Sequence, residues 1–163
     1  MRLKIFSILF FTFGCFANTS ELTLKTENGF GLKASYNESV KSSDKAVLLL
    51  HQCNSDKQMY ETLGIELSKM GIHALSIDFR GFGESISVEF DRRTFRKLSR
   101  EQRRKAFKAL RNHWPADVMV AYDFLRKIVG EAGAIGVTGA SCGGRQAKIL
   151  ETSRAIDAMS FFS

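Results

Sequence analysis

Proline and cysteine are scarce in this sequence, with one and three in 163 residues, and it has 13 glycines and no internal repeat. That scarcity excludes collagen-like, polyproline and low-complexity chains. Cys15, Cys53 and Cys142 lie too far apart for a metal motif and are too few for a disulfide framework. The longest uncharged apolar stretch, Ile5 to Ala17, is shorter than the roughly 20 residues that cross a bilayer. No histidine follows His113, so the last 50 residues of the chain hold no imidazole.

What is present is ordinary for a globular protein: 44% hydrophobic and 25% charged residues, enough for one domain with a true core. Arg2 and Lys4 precede the Ile5–Ala17 run, which ends Cys15-Phe16-Ala17. This pattern reads as a secretory signal cleaved near Ala17, giving a periplasmic or secreted protein. A lipoprotein modified at Cys15, or an uncleaved anchor, are the alternatives. Removing 17 of the 163 residues leaves 146. Cys53 and Cys142 then remain, and an oxidising compartment permits a bridge between them.

The net charge of +7 is concentrated. Arg92 to Arg111 holds ten Lys or Arg against one acid, Glu101, a local sum of +9, so the rest of the chain is near −2. The basicity belongs to a helical insertion at about 86–112, not to the fold. Three readings are open for it: a solvated helix face, a substrate lid, and contact with an anionic membrane surface. Nucleic acid is not expected as a partner of an exported chain.

Strand-like Glu21–Thr26 and Phe30–Ser35 flank Asn28-Gly29, a hairpin turn signal. Ala46–Leu50 is a continuous apolar run, as in strands buried on both faces. Ser55 and Gln58 form a capping-box pattern, and Met59, Leu63, Leu67 and Met70 follow at helical spacing up to Gly71. Ile72–Ile77 is strand-like. Ser99 and Gln102 repeat the capping pattern before a basic helix, and Pro115 suits the first turn of another, with Val118, Tyr122, Leu125 and Val129 as its apolar stripe. Ala134–Thr138 and Ala155–Phe162 are strands on either side of a helix that starts near Gly143. Alternation of this kind predicts an α/β fold, a three-layer α/β/α sandwich with a mostly parallel sheet and an N-terminal antiparallel hairpin.

The segment richest in chemistry is Gly139-Ala140-Ser141-Cys142-Gly143, placed where a strand runs into a helix. A Gly-x-Ser-x-Gly turn in that context is a nucleophile elbow. Glycine is required on both sides because the corner is too tight for flanking side chains. The serine then stands at a helix N-terminus, where amide hydrogens stabilise a developing oxyanion. Upstream, one strand ends in His51-Gln52-Cys53-Asn54-Ser55-Asp56 and the next in Asp78-x-Arg80-Gly81-x-Gly83-x-Ser85.

At these residues the chain resembles the α/β-hydrolase superfamily, in its dienelactone hydrolase-like and serine esterase branches, over about residues 30–162. The resemblance implies a serine hydrolase of carboxylic esters or related acyl compounds, with a small-molecule acyl substrate, no cofactor and no metal. It implies Ser141 as nucleophile, Gly139 and Gly143 as elbow glycines, and the backbone N–H groups of Cys142 and Cys53 as the oxyanion hole. Gln52 stands where the family has glycine and is the alternative donor. The family also places an acid and a histidine after the nucleophile. Here only Glu151 and Asp157 follow Ser141, with no histidine. A truncated, nearly inactive hydrolase is therefore expected, because a serine without a base is a poor nucleophile.

Blander readings stand beside this one. Ser141 is a plain helix N-cap, or a shifted register makes Cys142 the nucleophile. His51 bonds the oxyanion loop, and His73 is a surface or satisfied residue. Asp157 sits inside the last strand. Were Cys53 and Cys142 both at the oxyanion hole, they would lie close enough to pair. Two other functions compete: a non-catalytic binding module of the same fold, and a short-chain-dehydrogenase-like nucleotide binder using Thr138-Gly139 to Gly144-Arg145. A chain that stops at this point leaves Met159, Phe161 and Phe162 on an apolar sheet edge.

Overall fold

The computed structural model describes residues 18–162, so the signal expected at 1–17 lies outside the described residues. Six strands are seen: β1 (Thr19–Lys25), β2 (Gly31–Asn37), β3 (Lys45–Leu50), β4 (His73–Ile77), β5 (Ala134–Ala140) and β6 (Ala158–Phe162). Four α-helices join them: α1 (Glu61–Lys69), α2 (Arg100–Arg111), α3 (Trp114–Val129) and α4 (Cys142–Glu151). The sheet order is β1-β2-β4-β3-β5-β6. β1 and β2 form the antiparallel hairpin around Gly29, whose φ of +78° a glycine adopts without strain. β2 meets β4 antiparallel, and β4, β3, β5 and β6 run parallel. This is the mixed sheet that the alternation predicted.

Strand alternation divides the core. Leu48 and Leu50 of β3 join Leu75, Ile77, Ile135 and Val137 in the larger core, with Val118, Ala121 and Leu125 of α3 and Ala147 and Leu150 of α4. Leu49 and Ala74 point to the other face, against Tyr60, Val47 and Leu67. Each fully buried leucine of this kind contributes about 1.5–3 kcal/mol.

The loop after β4 is tied by buried polar groups. The Asp78 carboxylate accepts from the backbone N–H of Lys57 (2.7 Å) and Glu84 (2.8 Å). Arg80 donates to both carboxylate oxygens of Asp117 on α3, at 2.6 and 3.2 Å, and its guanidinium lies over the Phe30 ring at 4.2 Å. Trp114 Nε1 donates to the Arg80 carbonyl at 3.1 Å. The Ser85 hydroxyl accepts from Lys33 N at 2.8 Å, tying the loop's end to β2. The Asp-x-Arg-Gly-x-Gly-x-Ser motif is thus a set of cross-ties between hairpin, sheet and α3.

Three local expectations are corrected. The cap before α1 is Asp56, not Ser55: its carboxylate accepts from Gln58 N at 3.0 Å and opens the 3-10 turn Lys57–Tyr60. The face of α1 that meets the sheet is Tyr60, Gly64 and Ser68, whereas Met59, Leu63 and Met70 are exposed. A Cβ at Gly64 would strike the Asn37 amide, and Ser68 Oγ donates to the Glu38 carbonyl. The small residues therefore set a close approach and turn the long side chains outward. Asp157 precedes β6, and its carboxylate accepts from Ile135 N at 2.8 Å. The capping box of Ser99 and Gln102 and the buried stripe of α3 are as expected.

β6 pairs with β5 alone among the described strands, and Phe161 and Phe162 are each about half exposed. Edges of this kind pair with other chains. Phe161→Lys is expected to raise the soluble fraction of the recombinant chain, read by light scattering. A wild-type chain that stays monomeric at high concentration would refute this.

Candidate active site

The turn from β5 into α4 is closed by contacts that leave no room for side chains. A Cβ on Gly139 would collide with the backbone of Gly143 and Gly144, and one on Gly143 with the carbonyl of Leu50 at the end of β3. Ser141, at the corner, has φ +47° and ψ −104° and is the sole non-glycine with positive φ among the described residues. Such a conformation costs about 1–3 kcal/mol and persists only where its surroundings fix it. Ser141 is exposed, and its hydroxyl makes no capping hydrogen bond to α4. It occupies the N-cap place without performing the N-cap role. The same glycine spaces are filled by the chain's own backbone, which argues against a pyrophosphate cradle at Gly139–Gly144.

The loop after β3 faces this corner. Cys53 and Cys142 form a disulfide, with Cα atoms 5.3 Å apart across 89 residues of sequence. Cys142 is therefore no free thiol, and the shifted register with Cys142 as nucleophile is ruled out for the oxidised chain. The bridge brings together the two residues whose amides were expected to flank the oxyanion. Among the described residues neither N–H donates to a protein acceptor. Gln52 turns its carbonyl to Ser55 N (3.2 Å) and to the imidazole of His51. Arg92 donates to the Cys53 carbonyl from the other side and lies over the Phe82 ring at 4.7 Å.

His51 is fully buried, with Nδ1 2.7 Å from the Gln52 carbonyl and Nε2 3.0 Å from Phe79 N. The carbonyl can only accept and the amide can only donate, so the ring is neutral with its proton on Nδ1. Burial pushes its pKa down to about 4, with the Gln52 hydrogen bond opposing the shift. With both nitrogens engaged, His51 holds the loop and offers no base to Ser141. His73 is likewise satisfied, with Nδ1 accepting from Tyr36 Oη (2.8 Å) and Ser39 N (3.1 Å) at the opposite end of the sheet. His113 packs edge-on to Phe90, with ring centres 5.0 Å apart. Asp157, beside Ile135, is about 20 Å from the elbow at the strand rise of about 3.3 Å per residue. Glu151 ends α4, roughly 15 Å from Ser141. Among the described residues no imidazole or carboxylate meets the serine.

An open cleft of about 590 Å³ adjoins the corner, lined by Ser141, Arg145, Lys148, Ile149, Phe161 and Phe162 among others. Its walls are apolar on the β6 side and cationic on α4. Of this cleft's lining, the sequence pointed to Arg145 only as the end of a nucleotide-binding loop, and to Lys148 not at all. The signal for them was their place one and two turns into the helix that follows the elbow.

Opening the Cys53–Cys142 bridge, by reduction or in Cys53→Ser, is expected to lower unfolding stability by about 2–5 kcal/mol. Equal denaturation midpoints with and without reductant would contradict that value. The depressed pKa of His51 gives a second expectation. The unfolded chain binds a proton near pH 6.5 and the folded one only near pH 4. Stability is therefore complete above that window and falls by up to about 3 kcal/mol as the pH drops through it. A melting temperature profiled against pH should show this loss in the wild type and a flatter curve in His51→Gln. Identical slopes would dispose of the assignment.

No protein-family model matches the chain, and no curated protein matches it. Among solved structures it is similar to an esterase from Pyrococcus furiosus, at 21% identity and a TM-score of 0.64, over 88% of this chain and 51% of that one. A cold-adapted esterase from an Arctic intertidal metagenomic library is similar at 24% identity and a TM-score of 0.62, over 86% of this chain and 58% of that one. An epoxide hydrolase from Vigna radiata is similar at 18% identity and a TM-score of 0.60, over 89% of this chain and 40% of that one. The chain spans about half the length of these structures. Over that span its sheet and helices are those of the α/β-hydrolase fold.

Proposed function

We propose that this chain carries the nucleophile half of a serine hydrolase that acts on carboxylic esters or related acyl compounds. The observation that carries the reading is Ser141 itself, held at φ +47° on the strand–helix corner with its hydroxyl unused. In this reading Ser141 Oγ attacks the acyl carbon. The N–H groups of Cys142 and Cys53, pinned by the disulfide, receive the oxyanion. Cys53 is preferred to Gln52 as donor because the bridge fixes its backbone beside the elbow. The N-terminus of α4 adds its positive end to the same place. No cofactor takes part. The disulfide also supports an exported, oxidising location, since such bonds persist there.

The base is not among the groups that the described residues bring to the serine. Without it, the oxyanion hole and binding alone retain about 10³–10⁴-fold catalysis over water. The chain by itself should therefore acylate slowly. The missing imidazole contact equally favours a second reading, in which the cleft at Ser141 binds an acyl ligand without turning it over.

A fluorophosphonate probe separates the two. Attack by Ser141 Oγ forms an oxygen–phosphorus bond and expels fluoride. Intact-mass spectrometry is expected to show slow single labelling at Ser141, faster at high pH and abolished in Ser141→Ala. Equal labelling of that variant would sink the nucleophile assignment. A folded chain that never labels but binds an ester analogue would favour the second reading.

A further inference from the structure

The basic stretch folds into a hollow of about 190 Å³, lined by Arg92, Arg93, Phe95, Arg96, Arg103 and Phe107. It lies between the 3-10 turn Arg92–Lys97 and α2. We infer that this hollow is a binding site for a phosphoryl group carried on an apolar body. The inference does not depend on Ser141 being a nucleophile.

Four guanidinium groups around one small concavity repel one another, so the question is what offsets them. Arg93 is answered by Asp91, with Nε at 2.8 Å from Oδ1 and Nη2 at 2.7 Å from Oδ2. Arg92 is committed to the Cys53 carbonyl and the Phe82 ring. The one acid within the stretch, Glu101, is paired with Lys105 at 2.8 Å. Among the described residues no carboxylate pairs with Arg96 or Arg103, and Arg103 makes only a 3.4 Å contact with the Leu98 carbonyl. Two cations thus converge on the hollow with their charge unanswered.

The chemistry of the lining narrows the ligand. Guanidinium groups recognise phosphoryl oxygens with paired, charge-assisted hydrogen bonds. Phe95 is buried and Phe107 half-buried, so the floor is apolar. An apolar floor lowers the local dielectric and strengthens attraction to an anion. It also gives a place to the body that carries the anion. The N-terminus of α2 is not the anion site, because Ser99 and Gln102 already close it reciprocally. A diffuse basic face would need none of this convergence.

Two sources offer such a group: a soluble phosphorylated molecule and an anionic phospholipid surface. The test uses the full chain. Inorganic pyrophosphate is titrated calorimetrically, and vesicles of phosphatidylglycerol are compared with vesicles of phosphatidylcholine by co-sedimentation. Pyrophosphate is expected to bind, and R96Q/R103Q to weaken it by about tenfold or more. The variant K97Q/R104Q removes the same charge from exposed positions outside the hollow and should weaken binding much less. Sedimentation with phosphatidylglycerol that pyrophosphate reverses identifies the lipid headgroup as source. Pyrophosphate binding without sedimentation identifies a soluble one. Equal loss in the two variants, or no binding of pyrophosphate or vesicles by the folded wild type, overturns the inference.

Discussion

The arrangement rests on one close contact: the α-carbon of Gly143 against the carbonyl of Leu50. The first turn of α4 must reach the end of β3, and hydrogen is the only substituent that fits between them. With that distance fixed, β5 has to turn within two residues of Gly139, and Ser141 is driven into a conformation that an L-residue avoids. The same approach brings residue 142 level with the loop that leaves β3. The disulfide, the two unused amides and the exposed hydroxyl are all consequences of backbone proximity at this point.

Around that contact the loops at the C-terminal edge of the sheet are immobilised by buried polar groups instead of by regular structure. His51 clamps the backbone of residue 52 to that of residue 79, Asp78 gathers two amides, and Arg80 reaches across to Asp117. Burial raises the Asp117 carboxyl and the guanidinium of Arg80 opposes the shift. Loops held in this way are costly to disturb, because a half-satisfied buried network is worse than an apolar one. Rigidity at the rim suits a site whose amide hydrogens have to be in place before any ligand arrives.

Much of this was legible from residues. Ala46–Leu50 and the stripe of α3 follow from burial, and the elbow follows from glycine spacing at a strand–helix junction. The β5–α4 corner needed only local information. The errors lie where a tertiary approach decides between local options. Ser55 and Asp56 are both good caps, and the carboxylate prevails as the chain leaves β3. The apolar spacing of Met59, Leu63 and Met70 is a sound helical pattern, yet Gly64 and Ser68 allow the tighter approach and take the buried face. The role of Asp157 depends on a pairing between β5 and β6 that no local pattern encodes. The sequence offered the bridge between Cys53 and Cys142 only on the condition that both lie at the oxyanion hole, and the approach of Gly143 to Leu50 meets that condition across 89 residues.

That separation affects how the protein is made. Cys53 leaves the ribosome well before its partner. At about 5–20 residues per second, it waits on the order of ten seconds as an unpaired thiol. In the finished fold the ring closes where β5 lies beside β3. The covalent bond is a latch across that junction, holding together two loops that the sequence keeps far apart.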